Sequence, residues 1–395
     1  MKPLAGVRIL DFSRVLAGPF ATQILAELGA EVTKVERPRT GDESRSFEPQ
    51  LPHGESAYFF ALNRAKRSIT LNLKAPRGQD IARRLAAKAD VVVENFLPGE
   101  MAKHGLDYAA LQAVNPRLIY VSNTGFGQTG PYRDRNGYDT VFQALSGVMA
   151  LTGYPDAPPA KVGLPFADLT SGLWIAISIL TGLVGRAASG RGCHVDLAMM
   201  DVQTSLLTIA AARLFALDED PQRVGTEHAG RVPSAAFQCR DGGWLHISGG
   251  DQHWAGVCGV LGLDGLGDDP GLATNAARVA RRGEVMAAMR AAAAARDRTP
   301  LAEALRAVGV PAGEVNSVRE ILGDPHIAAR GMVAGFDHPT EGRFPALRNP
   351  LRFDGFDDPA TGTPPLLGAD TDAVLATELG LAAAEIAELR AERVV

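Results

Sequence analysis

A chain of 395 residues allows two or three domains at roughly 100–200 residues each, with room for a large buried core. Hydrophobic residues at 46% and charged residues at 22% exclude the charge-dominated composition of disorder. Lys and Arg number 40 against 45 Asp and Glu, a net charge of -5, which excludes a global positive field for nucleic acid and requires any anionic ligand to be gripped locally.

Val7 to Asp11 reads as a strand, followed by a helix from about Pro19, a strand Glu31 to Glu36, a helix from about Pro76, a strand Asp90 to Phe96, a helix after Pro98 and a strand Arg117 to Ser122. Strands separated by crossover helices imply a parallel sheet covered on both faces, a doubly wound α/β domain of Rossmann-like type. The apolar stretch Leu169 to Gly185 is diluted by Ser, Thr and Gly and falls short of the ~20 apolar residues of a bilayer span, which predicts a buried helix and no membrane partner. A strand at His194 to Leu197 leads into a single long helix, Met199 to Ala216, and then a polar break, Asp218 to Arg231. The first segment of the large domain is therefore placed at 1–200 and a linker helix and loop at 201–231. Trp244 to Ser248 reads as a strand and Ala276 to Val308 as helical, giving a smaller α+β domain at 232–324. Asp337 to Pro365 is rich in Gly, Pro and Asp, the composition of loops and short edge strands, and Asp370 to Arg393 is helical again.

Met1 to Asp11 lacks the charged, apolar and small-residue succession of a secretory signal. Cys193, Cys239 and Cys258 are too few and scattered for a disulfide framework, so reduced thiols in a cytoplasm are expected. No histidine stands in HExxH or HxH spacing, and no metal site is predicted. Gly125 to Gly130 matches GxGxxG after a strand, but Pro131, Tyr132 and Arg133 follow it instead of a helix, which argues against a dinucleotide fingerprint. Cys193 and His194 are neighbours in a strand and point to opposite faces, so they do not form a thiol–imidazole pair within one chain.

Arg37 and Arg39 follow the second strand, Arg64, Lys66 and Arg67 precede Ile69 to Leu71, and Lys74 and Lys103 lie further on. At the strand ends of a parallel sheet such charges suit a phosphorylated nucleotide moiety; an ordinary solvated surface is the alternative reading. Asp168 lies directly before the apolar helix. On its own it reads first as an N-cap, and compatibly with that as a carboxylate that the helix N-terminus keeps ionised at neutral pH from a reference pKa of ~3.9 and that could attack without a general base.

The segments VRILDFSRVLAGPFAT (7–22), GAEVTKVERPRTGDESR (29–45), NRAKRSITLNLK (63–74), ADVVVENFLPG (89–99), TGFGQTGPY (124–132), ADLTSG (167–172) and PLLGADTDAVL (365–375) together resemble the class III CoA-transferase (CaiB/BaiF) family along almost the whole chain. The resemblance implies that Asp168 is the nucleophile and passes through an aspartyl-CoA thioester. It implies CoA thioesters as substrates with no permanently bound cofactor. It assigns Val15, Arg37, Leu71, Lys74, Asn95, Phe96, Leu97, Lys103 and Tyr138 to the CoA cleft. Where some relatives have a lysine this chain has Asn136, a gap that Lys66 and Arg67 are expected to fill, and the glycines of 124–130 are expected to bring backbone N–H groups near the reacting oxyanions. It implies residues 325–395 as a return segment completing the large domain, and an interlocked ring-like homodimer.

Racemases of the same superfamily carry Gly-His-Asp where this chain has Gly137-Tyr138-Asp139, so a two-base racemase lacks its imidazole here, and transfer is preferred over racemisation or mere CoA binding. Asp139 is expected near the nucleophile. Arg14 before VLAGP, with Arg45 and His53, is assigned to a second substrate carboxylate; an ion pair of Arg14 with a neighbouring acid is the other reading. With GTEHAGRVPSAAF (225–237), similar to succinyl-CoA:dicarboxylate members of the family, this points to succinyl-CoA as donor and a C4–C6 dicarboxylic acid as acceptor.

Overall fold

The computed structural model describes residues 1–395. Its centre is a six-stranded sheet of β1 (Arg8–Asp11), β2 (Glu31–Glu36), β3 (Arg67–Thr70), β4 (Val91–Glu94), β5 (Ile119–Thr124) and β6 (Cys193–Ala198), ordered β3-β2-β1-β4-β5-β6. Every neighbouring pair is parallel, with Ile9 in register with Val32 on one side and Val91 on the other. This is the doubly wound order whose direction reverses between β1 and β4.

Alternation along each strand decides which face a side chain serves. Ile9, Val32, Val91, Val93, Ile119 and Val121 pack with Ala21, Leu25, Ile175 and Ile179 of the helices Ala17–Glu27 and Phe166–Ser189. Leu10, Val35, Ile69, Val92 and Tyr120 face the other way, onto Ile81, Leu85, Val374, Leu375, Ile386 and Leu389. The second set draws on the helices Thr371–Leu379 and Ala383–Ala391, so the tail of the chain is part of the sheet's cover. It also closes the β3 edge. Asp370 Oδ2 accepts from Ser68 N–H at 2.8 Å, Asp370 N–H donates to the Ser68 carbonyl at 2.9 Å, and Thr371 Oγ1 accepts from Thr70 N–H at 3.1 Å. An edge paired in this way offers no template to another strand.

The chain divides into two compact units, one of residues 1–148, 161–211 and 326–395, the other of 149–160 and 212–325. The first also contains an antiparallel hairpin, β10 (Val333–His338) and β11 (Gly342–Leu347), whose Phe336 and Phe344 rings pack on Phe60. The second holds the antiparallel strands β7 (Ser234–Gln238), β8 (Trp244–Ser248) and β9 (Ala312–Glu314), with Phe237, Leu245 and Ile247 packed on Trp254, Val257, Met286 and Leu305.

Two local expectations are corrected. The long helix expected over Met199 to Ala216 is two helices, Met199–Ser205 and Thr208–Leu217. At the break, the hydroxyls of Thr204, Ser205 and Thr208 donate to the carbonyls of Met200, Val202 and Ser205, the local competition that weakens helix continuity. The helix expected to be buried spans Phe166–Ser189, 24 residues, long and apolar enough by length and composition to cross a membrane. Only one of its faces is covered, by the sheet and the helix Ala17–Glu27. Leu173, Trp174, Ile177 and Val184 on the rest are exposed, Val184 to 73%.

Candidate active site

In an open parallel sheet the strand-to-helix loops splay apart where the order reverses, and the crevice beyond the carboxyl ends is where ligands bind. Here a cavity of about 1400 Å³ opens at that place. Its wall takes Arg14 and Val15 from the loop after β1, Arg37 to Glu43 after β2, Leu71 to Lys74 after β3, Asn95 to Leu97 after β4, and Asn123 to Gly125 at the end of β5. Arg135 to Asp139, Asp168, Met199 and Arg393 also line it.

Asp168 is the third residue of the helix Phe166–Ser189, which opens after Pro165 with no side-chain cap of its own. The cap comes from a distance. Asp139 Oδ1 accepts from the N–H groups of Ala167 at 2.7 Å and Asp168 at 3.2 Å, and Asp139 Oδ2 accepts from Gln143 at 2.6 Å. Burial, and secondarily the Asp139 carboxylate, push the Asp168 carboxyl up to about 7. This corrects two expectations: Asp168 is not the N-cap, and it is not fully ionised at neutral pH, because desolvation and a like charge outweigh the field of the helix terminus. Tyr58, which the sequence reading missed, belongs to the same electrostatic group. Its phenol is pushed up to about 12 by burial and by the Asp168, Asp42 and Asp139 carboxylates, and so stays a hydrogen-bond donor. Nothing in SAYFF marks it out beforehand except the Ser56 cap, whose Oγ accepts from Tyr58 N–H at 3.1 Å.

Of the residues assigned to CoA, all but one stand on the cavity wall: Val15, Arg37, Leu71, Lys74, Asn95, Phe96, Leu97 and Tyr138. Lys103 does not. It is exposed and pairs with Glu100, whose neighbours Met101 and His104 take the wall positions. Lys66 and Arg67 are not available to a ligand either. Lys66 is buried against Asp11, the Pro19 carbonyl and Asn63, its ammonium pushed down to about 7 chiefly by burial, and Arg67 pairs with Glu378 at 2.7 Å. The cations at the wall that carry no ion pair are Arg39, Lys74, Arg135 and Arg393. The last two, flanking Asn136 and near the chain's final residue, had no pattern to reveal them.

Arg14 Nη1 pairs with Glu43 Oε1 at 2.6 Å, and its guanidinium lies 4.6 Å from the Phe96 ring centroid. Arg37 shares the same Glu43 oxygen at 3.1 Å. The ion-pair reading of Arg14 is the one the structure shows, and the pair stands on the cavity wall. Buried Arg14 Nε and Glu43 Oε2 are left without partners. Arg45 and His53 lie off the cavity. Arg45 is bidentate on Glu36 at 2.8 and 2.9 Å, donates to the Pro365 carbonyl and stacks 3.7 Å from the Phe59 centroid, a structural clamp with nothing left for a substrate. His53 sits in an exposed turn tied to Glu341.

The glycine-rich stretch also differs from expectation. Gly127 N–H donates to Thr124 Oγ1 and Gln128 N–H to the Asp196 carboxylate, so these groups are already engaged. A Cβ at Gly125 or Gly137 would meet the Phe142 ring at 2.7 or 2.4 Å; these glycines let two loops close on one aromatic ring. His194 stacks on Tyr108 and meets Ser122 Oγ at 3.0 Å, with no contact to Cys193. No group of three His, Cys, Asp or Glu side chains is arranged to hold a metal.

The family model of CoA-transferase family III matches residues 4–371. The chain belongs to that family and is a CoA-transferase. It is 40% identical to the succinyl-CoA:glutarate CoA-transferase of Mus musculus over 375 residues, 95% of this chain and 86% of the relative. It is also 40% identical to the succinate–glutarate CoA-transferase of Agrobacterium fabrum, over 88% of this chain and 89% of the relative. The acetyl-CoA:oxalate CoA-transferase of Acetobacter aceti is 37% identical over 90% of each chain. A crystal structure of a CAIB/BAIF family protein from Brucella suis superposes with a TM-score of 0.86 at 40% identity, covering 95% of this chain and 99% of that one.

Proposed function

We propose that the transferase moves CoA from succinyl-CoA to a C4–C6 dicarboxylic acid through a covalent aspartyl-CoA thioester on Asp168. The observation that carries this reading is the Asp168 carboxyl at the wall of the crevice beyond the strand ends, within a family of CoA-transferases. A carboxylate oxygen of Asp168 attacks the donor thioester carbon, the C–S bond breaks, and an acyl-aspartyl anhydride and CoA thiolate result. The thiolate attacks the Asp168 carbonyl carbon, releasing the donor acid as its carboxylate and leaving aspartyl-CoA. The acceptor carboxylate attacks that thioester and frees the thiolate again, which attacks the acceptor acyl carbon to give the new acyl-CoA and restore Asp168. Donor and acceptor bonds are of similar energy, so the chain's tasks are positioning, water exclusion and stabilisation of each oxyanion.

For the second carboxylate of the acid, Arg14 is the residue supported by geometry, since its guanidinium is fixed by Glu43 and Phe96 while buried Nε lacks a partner. Relatives named for succinate and glutarate support the dicarboxylate class, and those named for oxalate give the shorter diacid as the second reading. CoA thioesters enter as substrates and no resident cofactor takes part. The exposed apolar stripe of Leu173, Trp174, Ile177 and Val184 supports a homodimer, and three free cysteines support a reducing, cytoplasmic setting.

The test incubates pure protein with succinyl-CoA and a panel of mono- and dicarboxylic acids, and follows new thioesters and the Asp168 peptide by mass. Exchange to dicarboxylates with a CoA adduct on Asp168, and loss of both in Asp168→Asn, is expected. Exchange to monocarboxylates only would sink the Arg14 assignment, and exchange retained by Asp168→Asn would sink the covalent route.

A further inference from the structure

The turn that follows β1 is held in an unusual way. Val15 lies on the cavity wall with φ 69°, a left-handed conformation that is a genuine outlier for a β-branched residue. Such a backbone persists only where its surroundings over-determine it. Three consecutive N–H groups are captured by side chains from three different places. Ser13 N–H donates to Asp11 Oδ1 at 2.9 Å, Arg14 N–H to Asn95 Oδ1 at 2.9 Å, and Val15 N–H to Asp42 Oδ1 and Oδ2 at 3.1 and 3.2 Å. The carbonyls are taken as well, Ser13 O by Lys34 Nζ and Arg14 O by Asn95 Nδ2, each at 2.8 Å.

Asp42 is the member that touches Val15 itself. It is 2% exposed, and its carboxylate also receives Ser44 N–H at 2.9 Å and Ser44 Oγ at 2.8 Å. Lys34, fully buried, meets Asp42 Oδ2 at 2.8 Å and so neutralises the charge beneath the turn. The buried lysine and aspartate serve no step of the transfer chemistry proposed above, and burying such a pair without further use is seldom stabilising over an apolar core.

We propose that Asp42, with Lys34 as its charge partner, is a positioning residue that holds Val15 in the left-handed conformation and thereby fixes the cavity wall against which acyl-CoA binds. The inference rests on the reading of the cavity as the acyl-CoA site. Asp42→Asn keeps the shape but weakens the acceptor. Asp42→Glu keeps the charge for Lys34 while displacing the carboxylate from Val15 N–H. Glycine adopts positive φ freely, so Val15→Gly removes the need for the restraint.

The experiment measures kcat, KM for acyl-CoA and CoA affinity by calorimetry in both Asp42 variants, in Val15→Gly, and in the two double mutants. Each Asp42 variant is expected to raise KM about tenfold, the size of a lost hydrogen bond to a charged acceptor, with kcat at saturation within about threefold. In the Val15→Gly background the same Asp42 changes are expected to raise KM at least about fivefold less. Unchanged KM in folded Asp42 variants, or an equal rise with and without Val15→Gly, overturns the inference, as does failure of all Asp42 variants to fold even with glycine at 15. A wild-type chain that exchanges no CoA counts instead against the transferase reading, and the calorimetric coupling between positions 42 and 15 then still decides the positioning role.

Discussion

At Asp168 two opposing influences meet. The first turn of a helix favours a carboxylate, yet burial and Asp139 prevail and push the group up to about 7. Attack on a thioester requires the ionised form, so kcat/KM for acyl-CoA is expected to rise with pH up to about 7 and level above it. Asp139→Asn removes the like charge and is expected to move that midpoint to lower pH; a pH–rate profile reads it, and an unmoved midpoint would assign the whole shift to burial. Stability carries the opposite sign. A carboxyl whose native pKa lies above its unfolded value binds protons more tightly when folded, so its contribution is present below about pH 4 and is lost as pH rises through about 7. Asp168→Asn is therefore expected to gain thermal stability over wild type at pH 8 and little or none at pH 4. A difference in melting temperature independent of pH would contradict this.

At the scale of the element, the helix Phe166–Ser189 depends on a cap supplied from 28 residues upstream. Asp139→Ala is expected to cost about 1 kcal/mol, as loss of a helix N-cap does, and to lower exchange more than stability, since the first turn carries Asp168, the proposed nucleophile. Equilibrium denaturation beside turnover measures the two. Arg45 presents the reverse case, a residue whose polar loop looked like a substrate site. Its guanidinium is spent on Glu36, Pro365 and Phe59, so Arg45→Met is expected to destabilise by about 3–5 kcal/mol, the range for breaking a buried pair, while KM for the dicarboxylic acid in the folded fraction stays the same. A selective rise in that KM would return Arg45 to the substrate.

Across the whole molecule, what was legible from sequence is what repeats locally. The β-branched runs VRILD, EVTKVE and VVVEN announced parallel strands, and the residues directly after them, Val15, Arg37 and Asn95, reached the cavity because a strand fixes where its own loop emerges. Lys103, Arg45 and His53 failed for a common reason: each lies a few residues further on, where an ion pair or a turn takes the side chain elsewhere. Arg393 was illegible because only the tertiary fold brings it to the cavity wall. The cover of β3 by the tail gives a prediction at this scale. A chain cut after Gly368 loses Asp370, Thr371 and the apolar residues Val374, Leu375, Ile386 and Leu389 from the sheet, and is expected to aggregate through the opened edge. Light scattering on the shortened chain checks it, and a monodisperse, active product would show the cover to be dispensable.

The cavity wall runs from Phe12 to Arg393, and this has a consequence for how the enzyme is made. A ribosome that has delivered the first two hundred residues has delivered all six strands of the parallel sheet and Asp168, yet one lining residue, Arg393, still lies in chain not yet translated. The crevice beyond the strand ends therefore gains its last lining residue only when synthesis has passed position 393.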